Sequence, residues 1–210
     1  MGRRPEINGR ELLLEAALRL FAENGVDAVS IRAVNREAGL GPASVHYHFG
    51  TKDELLRAVL QERGVALVTD VRERAKELAR SSDPASPRDL VLMLAEPYVR
   101  LTEGRDPAGH EWIRLLSQLL QSDPDRVFDK KTEKATVSAV ARVYPDAGSS
   151  DILRAVRMCF TLLMIQLAHR VRAGRRRRAA VDLDLLVDFL SGGLDATLGS
   201  TSAAKPRRTA

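Results

Sequence analysis

Residues 30–52, SIRAVNREAGLGPASVHYHFGTK, form the segment of this chain whose residue types and spacing point most clearly to a chemistry. The pattern predicts a helix, a three-residue turn that contains glycine, and a second, short helix. This is the geometry of a helix-turn-helix, in which the second helix enters the major groove of DNA. Contacts to DNA are therefore expected on the outward side of the short helix.

The short helix has two sides that can be assigned at about 100° per residue. Val45 and Phe49 fall together and are expected to pack inward. The outward side and its two flanks carry the other residues: Ala43, Ser44, Tyr47, His46 and His48. Hydroxyl groups can hydrogen-bond base edges and methyl groups can touch thymine, so small residues at the centre suit a close approach to bases.

Phosphate contacts set the position of a protein on DNA, and three side chains here suit that task. Tyr47, His48 and Lys52 are all hydrogen-bond donors. Lys52 also lies at a predicted helix N-terminus, where backbone N–H groups can hold a phosphate.

Two other interpretations of this segment compete with DNA binding. His46 and His48 resemble a pair of metal ligands, but residues i and i+2 of a helix point roughly 200° apart and cannot share an ion. No metal ion or cofactor is therefore expected. The second alternative is a purely structural hairpin, because a glycine turn between helices imitates the motif.

The helices that position this segment have recognisable starts. Asn8 and Thr51 are each followed three residues later by glutamate, which predicts two capping boxes. The helix after Thr51 is expected to reach about Arg80. Gly41 and Pro42 predict the start of the short helix, with the proline at its first position.

The rest of the chain also follows helical patterns. A linker rich in serine and proline occupies residues 81–87. Residues 151–171 are apolar nearly all round, which predicts a helix buried on most sides, and residues 183–198 predict the last helix. Pro97 is expected to kink or end its helix. Three pairs of a capping residue and a proline each predict a helix start: Ser86-Pro87, Asp106-Pro107 and Asp123-Pro124.

The composition supports an all-α fold of about nine helices, without a convincing strand. The 210 residues include one cysteine, which excludes a disulfide framework. No stretch of about 18 uninterrupted apolar residues occurs, so we expect a soluble, cytoplasmic protein without a membrane span. The net charge is +5, yet residues 1–60 carry eight basic and eight acidic side chains. The basic excess, including residues 175–178, lies elsewhere, so a DNA interpretation depends on the local motif.

Residues 8–60 resemble the N-terminal domain of the tetracycline-repressor family of bacterial transcription regulators. The resemblance is carried by LLLEAALRLFAENGVDAVSIRAV, by REAGLGPASVHYHFGTKDELLRAV and by the basic Arg3-Arg4 arm. It implies a three-helix DNA-binding head at residues 1–60, with a long helix leading into a ligand-binding and dimerisation body at residues 61–199. Residues 200–210 are expected to form a disordered tail.

The resemblance also implies which residues contact DNA. Including the arginine arm, these positions are Arg3, Arg4, Ser30, Arg32, Pro42, Ala43, Ser44, His46, Tyr47, His48 and Lys52. Two residues depart from the family pattern. Asn35 replaces a small apolar residue and is expected to loosen the packing between the first two helices. His46 replaces a common tyrosine, so the family's sequence preference does not transfer.

The body contains bulky, adaptable side chains on helices that are able to surround one cavity. Few charges lie among them, which predicts a mostly apolar ligand held by a small number of polar groups. The candidate ligand-binding residues are Met93, Tyr98, His110, Trp112, Leu116, Gln118, Phe128, Met158, Phe160 and Met164.

The last predicted helix suggests how two copies associate. Its apolar stripe is interrupted by two glycines, each of which costs a helix roughly 1 kcal/mol relative to alanine. That cost suggests a close approach by the backbone of a second copy. The predicted interface comprises Leu183, Leu186, Val187, Leu190, Gly192, Gly193 and Leu194.

Together these features predict a homodimeric regulator that binds a near-palindromic site in double-stranded DNA. The most favoured form is a repressor that a small-molecule effector releases from DNA. No membrane partner is expected. Two alternatives stay open at this point. One is a helical enzyme that uses the cavity of the body, and the other is a DNA-binding protein that responds to no ligand.

Overall fold

The computed structural model describes residues 8–104, 106–173 and 182–199, and it is all-helical over these residues. Nine α-helices occur there, as the sequence predicts. They are α1 (Gly9–Asn24), α2 (Ile31–Glu37), α3 (Ser44–Phe49), α4 (Lys52–Arg80), α5 (Pro87–Glu103), α6 (Pro107–Ser122), α7 (Lys130–Val143), α8 (Ser149–Ala173) and α9 (Leu183–Leu194).

Helices α1 to α3 pack around the first turns of α4 and enclose a small core. Phe21, Val45 and Leu55 are fully buried there. The predicted capping box of Thr51 with Glu54 is present at the start of α4. At α1 the Asn8 side chain accepts from the Arg10 N–H, but the predicted box with Glu11 does not form. Local hydrogen bonds therefore mark where α1 and α4 begin.

Two of the predicted helix starts are wrong. Helix α3 begins at Ser44, because Pro42 and Ala43 form a turn rather than the first helical residues. Asp123-Pro124 opens only one 3-10 turn, Pro124–Arg126. Helix α7 starts later, where Asp129 accepts hydrogen bonds from the N–H groups of Lys131 and Thr132.

Pro97 does not end its helix. It lies inside α5, which continues to Glu103. A proline removes one hydrogen bond of the helix, here the one to the carbonyl of Met93. Buried side chains on both sides of it, including Leu94 and Tyr98, keep the helix packed against its neighbours.

The body consists of α5 to α9 and the second half of α4. Helix α4 packs along α7, α6 packs on α8, and α5 packs on α9 and α8. The head joins the body through a helix and through packing. The helix is the continuous α4, and the packing is a contact between α1 and α6, in which the Gln118 Nε2 donates to the Ala22 carbonyl at 3.0 Å.

Helix α8 is less enclosed than the sequence predicts. Ile152, Leu163 and Leu167 are buried, but Met158 is 73% exposed. Residues 149–172 are long and apolar enough to cross a membrane, a property shared by core helices of soluble proteins, and 44% of their most apolar window is buried. The apolar residues of α8 thus form a buried face and an outer face.

The last helix also differs from its prediction. Helix α9 ends at Leu194 and is followed by one π-helical turn, Asp195–Gly199. Tyr144 lies between α7 and α8, and its hydroxyl donates to the Asp195 carboxylate at 3.2 Å. The end of α9 therefore lies beside the start of α8, and the two helices run antiparallel.

Candidate nucleic-acid interface and body cavity

Helix α3 presents the side that its periodicity predicts. Val45 is fully buried, and Tyr47 is 84% exposed. Ala43 and His46 are exposed, while Ser44 and His48 are half-buried. A helix with one anchored side and small or polar residues on the other is suited to lie in a groove.

Asn35 holds α3 in place. Its side chain is 2% exposed and reaches from α2 to the start of α3. The Oδ1 accepts from the Val45 N–H at 3.0 Å, and the Nδ2 donates to the Pro42 carbonyl at 2.6 Å. The residue before α3, Ala43, offers no side-chain cap. Asn35 supplies that cap from another helix, so the expectation that it loosens the packing is wrong.

We expect Asn35→Ala to lower the free energy of unfolding by about 1–3 kcal/mol, because it leaves a buried N–H and a carbonyl without partners. Urea denaturation followed by circular dichroism measures the change. Asn24→Ala is the matched control, since the Asn24 side chain is exposed and, within the described part of the chain, bonds only to the Leu20 carbonyl of its own helix. Equal destabilisation by the two variants would contradict this role of Asn35.

The other predicted DNA contacts lie at the starts of helices or beside α3. Ser30 and Arg32 are exposed at the start of α2, and the Ser30 side chain accepts from the Ala33 N–H. Pro42 is exposed before α3, and Lys52 is the first residue of α4, with its Nζ 3.4 Å from the Asp27 carbonyl. Arg3 and Arg4 lie outside the described residues.

Two histidines of α3 are positioned by their neighbours. The His46 Nδ1 donates to the Gly50 carbonyl at 2.9 Å, where α3 ends. Gly50 has φ 77°, a conformation that favours glycine, and it allows the sharp turn into α4. The His48 ring packs edge-on against Tyr47, with their centroids 4.9 Å apart. The side chains flanking the outward face therefore have defined positions.

The body contains a cavity of about 460 Å³ between α4, α5, α6, α7 and α8. Its wall includes Tyr98, Trp112, Phe128 and Phe160. The rings of Tyr98 and Trp112 are nearly parallel, with centroids 6.3 Å apart, and Tyr98 meets Phe160 edge-on at 5.1 Å. Gly64 makes room for this cluster, because a Cβ there would lie 3.0 Å from the Trp112 Cζ2.

The two acidic side chains of the cavity are each paired with an arginine of the same wall. Arg72 lies 3.5 Å from Asp129, and the Arg157 Nη2 donates to Glu133 at 2.6 Å. Burial disfavours the charge of Asp129, but hydrogen bonds from Thr132 and the nearby Arg72 hold its pKa below the ordinary value. The cavity therefore has an aromatic wall bordered by two ion pairs.

Half of the predicted ligand residues line this cavity, namely Tyr98, Trp112, Leu116, Phe128 and Phe160. The other five lie elsewhere. Met93 and Met164 are buried in the core, and Met158 is exposed. The His110 Nε2 donates to the Thr102 carbonyl at 3.2 Å, and Gln118 faces the head.

Helices α4 and α7 also contribute to the wall, and the sequence interpretation does not include their residues, among them Gly64, Arg72 and Thr136. The sequence predicts α4 as a connector alone. A glycine in the middle of a long helix is the signal that could have found this contribution, because such a glycine often marks a close approach.

Arg126 connects the cavity with the head. It lines the body cavity and also a polar cleft of about 800 Å³ that includes Lys52 and Gln118. Its Nη1 donates to Asp53 at 3.0 Å, and its Nε donates to Asp123 at 2.6 Å. These bonds raise the pKa of Arg126. The bridge reaches the first turn of α4, one residue from Lys52.

The predicted leucine stripe of α9 faces the interior of its own chain. Leu183 is half-buried, and Leu186, Val187, Leu190 and Leu194 are buried against α5 and α8. The opposite side of α9 is apolar and open. Leu185 is 66% exposed and Phe189 is 67% exposed. Gly192 and Gly193 are exposed, with open space where a Cβ would lie.

Comparison with known proteins gives a family match in the head. Residues 13–59 match the model described as bacterial regulatory proteins, tetR family. The chain is 30% identical over 117 residues to the HTH-type transcriptional regulator BetI of Rhizobium meliloti, covering 56% of this chain and 55% of BetI. The match thus spans about half the length of that relative.

A second relative is covered more fully. The HTH-type nicotine-responsive transcriptional repressor HdnoR of Paenarthrobacter nicotinovorans is 28% identical over 160 residues, 71% of this chain and 78% of HdnoR. Among solved structures, Mycobacterium smegmatis AmtR is 25% identical with a TM-score of 0.53, covering 98% of this chain and all of AmtR. A SmeT–triclosan complex shares the fold at 19% identity with a TM-score of 0.59, covering 88% and 90%.

Proposed function

We propose that this chain, whose residues 13–59 belong to the tetR family of bacterial regulatory proteins, is a cytoplasmic transcriptional repressor that a small molecule releases from DNA. The observation that carries the proposal is the exposed face of α3, which Asn35 fixes from the interior. In this proposal residues 1–60 bind DNA, residues 61–199 bind the effector and a second copy, and the cavity performs no catalysis.

The DNA-binding part of the proposal assigns different tasks to different residues. Ala43 and Ser44 approach base edges, because their small side chains let the backbone of α3 come close. Tyr47 and Lys52 donate to phosphates and set the register. The exposed hydroxyl of Tyr47 and the place of Lys52 at the start of α4 support these roles.

The phosphate role of Lys52 is tested by salt dependence. We expect Lys52→Ala to weaken binding to every duplex alike and to lower the slope of log affinity against log salt by about 0.9 for each phosphate that the lysine neutralises. Fluorescence anisotropy of labelled duplex DNA over a series of salt concentrations measures the slope. Lys76→Ala is the control, because Lys76 lies late in α4 and pairs with Glu73 at 2.7 Å. An unchanged slope in Lys52→Ala would refute the proposed interface.

The body cavity is proposed as the effector site. Its size falls in the range of small-molecule pockets, about 300–1,000 Å³, and its wall is mainly aromatic and aliphatic. The name of HdnoR describes a nicotine-responsive repressor, and SmeT was solved with triclosan. These names support a small-molecule effector for this chain.

The bridge of Arg126 is proposed as the route from the cavity to the head. A ligand that presses on Val127 and Phe128 displaces the adjoining Arg126. The hydrogen bond from Arg126 to Asp53 at the start of α4 is then broken. The ligand shifts the equilibrium only if it binds the displaced arrangement more tightly. By linkage, DNA then weakens ligand binding by the same factor.

The homodimer is proposed to form through the outer sides of α8 and α9. Met158, Leu185 and Phe189 are large apolar side chains that stay exposed in the single chain. The open space at Gly192 and Gly193 supports a close approach of a second copy. A two-fold dimer presents two α3 helices to half-sites one helical turn apart or a multiple of it, so the operator is expected to be near-palindromic.

A further inference from the structure

We propose that the body cavity selects a neutral aromatic molecule that carries a hydrogen-bond acceptor, for example a diaryl ketone. This inference deepens the proposed function, because it takes the cavity as the effector site. Three properties of the wall support it: the arrangement of its rings, its unpartnered donors and the pairing of its charges.

The rings of the wall favour an aromatic ligand. Tyr98 and Trp112 are nearly parallel, and Phe160 stands edge-on to both Tyr98 and Phe128. Aromatic rings prefer offset-stacked and edge-to-face contacts. The wall offers both kinds of surface, and Leu116 and Val156 complete it with aliphatic groups.

Three polar groups of residues that line the cavity have no hydrogen-bond partner among the described residues. The Trp112 Nε1 is fully buried without a partner. Tyr98 and Thr136 are 4% and 3% exposed. Their hydroxyl groups form no hydrogen bond within residues 8–104, 106–173 and 182–199. An indole N–H donates only, and a hydroxyl donates or accepts. A ligand with an acceptor atom is therefore the complement of this wall.

Tyr98 is the principal donor in this proposal. Burial and the charge of Asp129 raise the pKa of Tyr98, so its hydroxyl keeps its proton. Leaving such a donor unpaired in an apolar site is costly, and a ligand acceptor removes that cost. A ligand of the same shape without an acceptor leaves the donor unpaired.

The charges of the cavity argue against an ionic ligand. The Asp129 and Glu133 carboxylates are engaged by Arg72 and Arg157, so neither is free to hold a cation. Arg157 also lies over the Phe128 ring, 4.6 Å from its centroid, and occupies the face that a ligand cation would use. Arg72 and Arg157 are in turn held by these carboxylates, and Arg126 is held by Asp53 and Asp123. The fourth arginine of the wall, Arg57, is exposed, so water already solvates its charge.

Benzophenone and diphenylmethane form a matched pair of probes, since they differ only in a carbonyl that replaces a methylene. We expect the full-length protein to bind benzophenone about five- to tenfold more tightly, which is the effect of one neutral hydrogen bond. Equilibrium dialysis of each compound against the full-length protein measures the two affinities. Equal affinities, or no binding of benzophenone up to its solubility, would overturn the inference.

Variants identify the donors. We expect Tyr98→Phe to reduce the preference for benzophenone to about twofold or less and to leave the diphenylmethane affinity unchanged. Thr136→Val and Trp112→Phe are measured in the same way and are expected to have smaller effects. Tyr144→Phe is the matched control, because that hydroxyl bonds to Asp195 outside the cavity. An unchanged preference in Tyr98→Phe would refute the assignment of Tyr98.

A failure of this inference can be distinguished from a failure of the proposed function. Dialysis measures binding to the cavity without DNA, so loss of the ketone preference refutes only the ligand class. Loss of DNA binding by the parent protein, in contrast, refutes the regulator and leaves the measured cavity preference valid.

Discussion

Phe189→Asp is expected to convert the proposed dimer into monomers and to abolish specific DNA binding at micromolar protein concentrations. Phe189 is 67% exposed on the outer side of α9. At a two-fold interface each copy loses one buried phenyl ring, whose burial stabilises the dimer by about 1.5–3 kcal/mol. Each copy also gains a carboxylate that has to be transferred out of water when the dimer forms. We expect the dimer dissociation constant to rise at least about a thousandfold. Sedimentation velocity over a concentration series measures it.

Leu190→Ala is the informative control for this result. Leu190 belongs to the inner stripe of α9 and is 4% exposed within its own chain. Its truncation should lower the free energy of unfolding by about 2–5 kcal/mol, without weakening association of the folded chains. If Phe189→Asp stays dimeric while Leu190→Ala dissociates, the inner stripe is the interface after all.

Asp53→Asn is expected to abolish the coupling between the body cavity and DNA binding. Asp53 receives the Arg126 Nη1 at 3.0 Å, and the amide that replaces it no longer attracts the guanidinium charge. Trp112 is the only tryptophan of the chain and lies in the cavity wall, so its fluorescence reports on the cavity alone. We expect saturating operator DNA to change the Trp112 emission of the parent protein and to leave that of Asp53→Asn unchanged. Such a bridge carries a coupling of about 1–3 kcal/mol.

Asp70→Asn is the matched control for Asp53→Asn. Asp70 also lies on α4 and accepts from Arg100 at 2.6 Å, but it lines neither the cavity nor the polar cleft. Its variant should retain the emission change on DNA binding. A full response in Asp53→Asn would contradict the proposed route through Arg126.

The helix caps show how much of the fold can be predicted from sequence. The capping box of Thr51 with Glu54 and the cap of Asn8 involve residues two or three positions apart, so their partners are visible in the sequence. The same holds for Val45 and Tyr47, because helical periodicity alone separates the two sides of α3. The predictions for the Thr51 box and for the two sides of α3 are confirmed, whereas Asn8 caps α1 through the Arg10 N–H and not through the predicted box with Glu11.

Apart from the two helix starts, the errors concern residues whose partners lie on another helix. Asn35 caps α3 across a turn, so its effect depends on where Val45 comes to lie rather than on its own helix. The two sides of α9 are both apolar, with Leu186 and Leu190 on one and Leu185 and Phe189 on the other. Periodicity identifies both stripes, but the packing of α5 and α8 decides which one is internal.

The cavity could be predicted only in part for the same reason. The aromatic residues Tyr98, Trp112 and Phe160 stand out by type, and they do line one space. The contributions of Gly64 and Thr136 depend on how α4 and α7 cross the body, and only the glycine in the middle of α4 gives a local sign of it. The chemistry of His110 suits a ligand contact, but its ring bonds to the Thr102 carbonyl instead.

Selection of bound duplexes from a random DNA pool tests the central proposal most directly. The parent protein should enrich one near-palindromic motif with half-sites one helical turn apart or a multiple of it. Ser44→Ala should alter the preference at one base step of each half-site, and a double variant with Tyr47→Ala and Lys52→Ala should enrich nothing. Failure of the parent protein to enrich any motif, or equal enrichment by the double variant, would contradict a DNA-binding regulator that uses the outward face of α3.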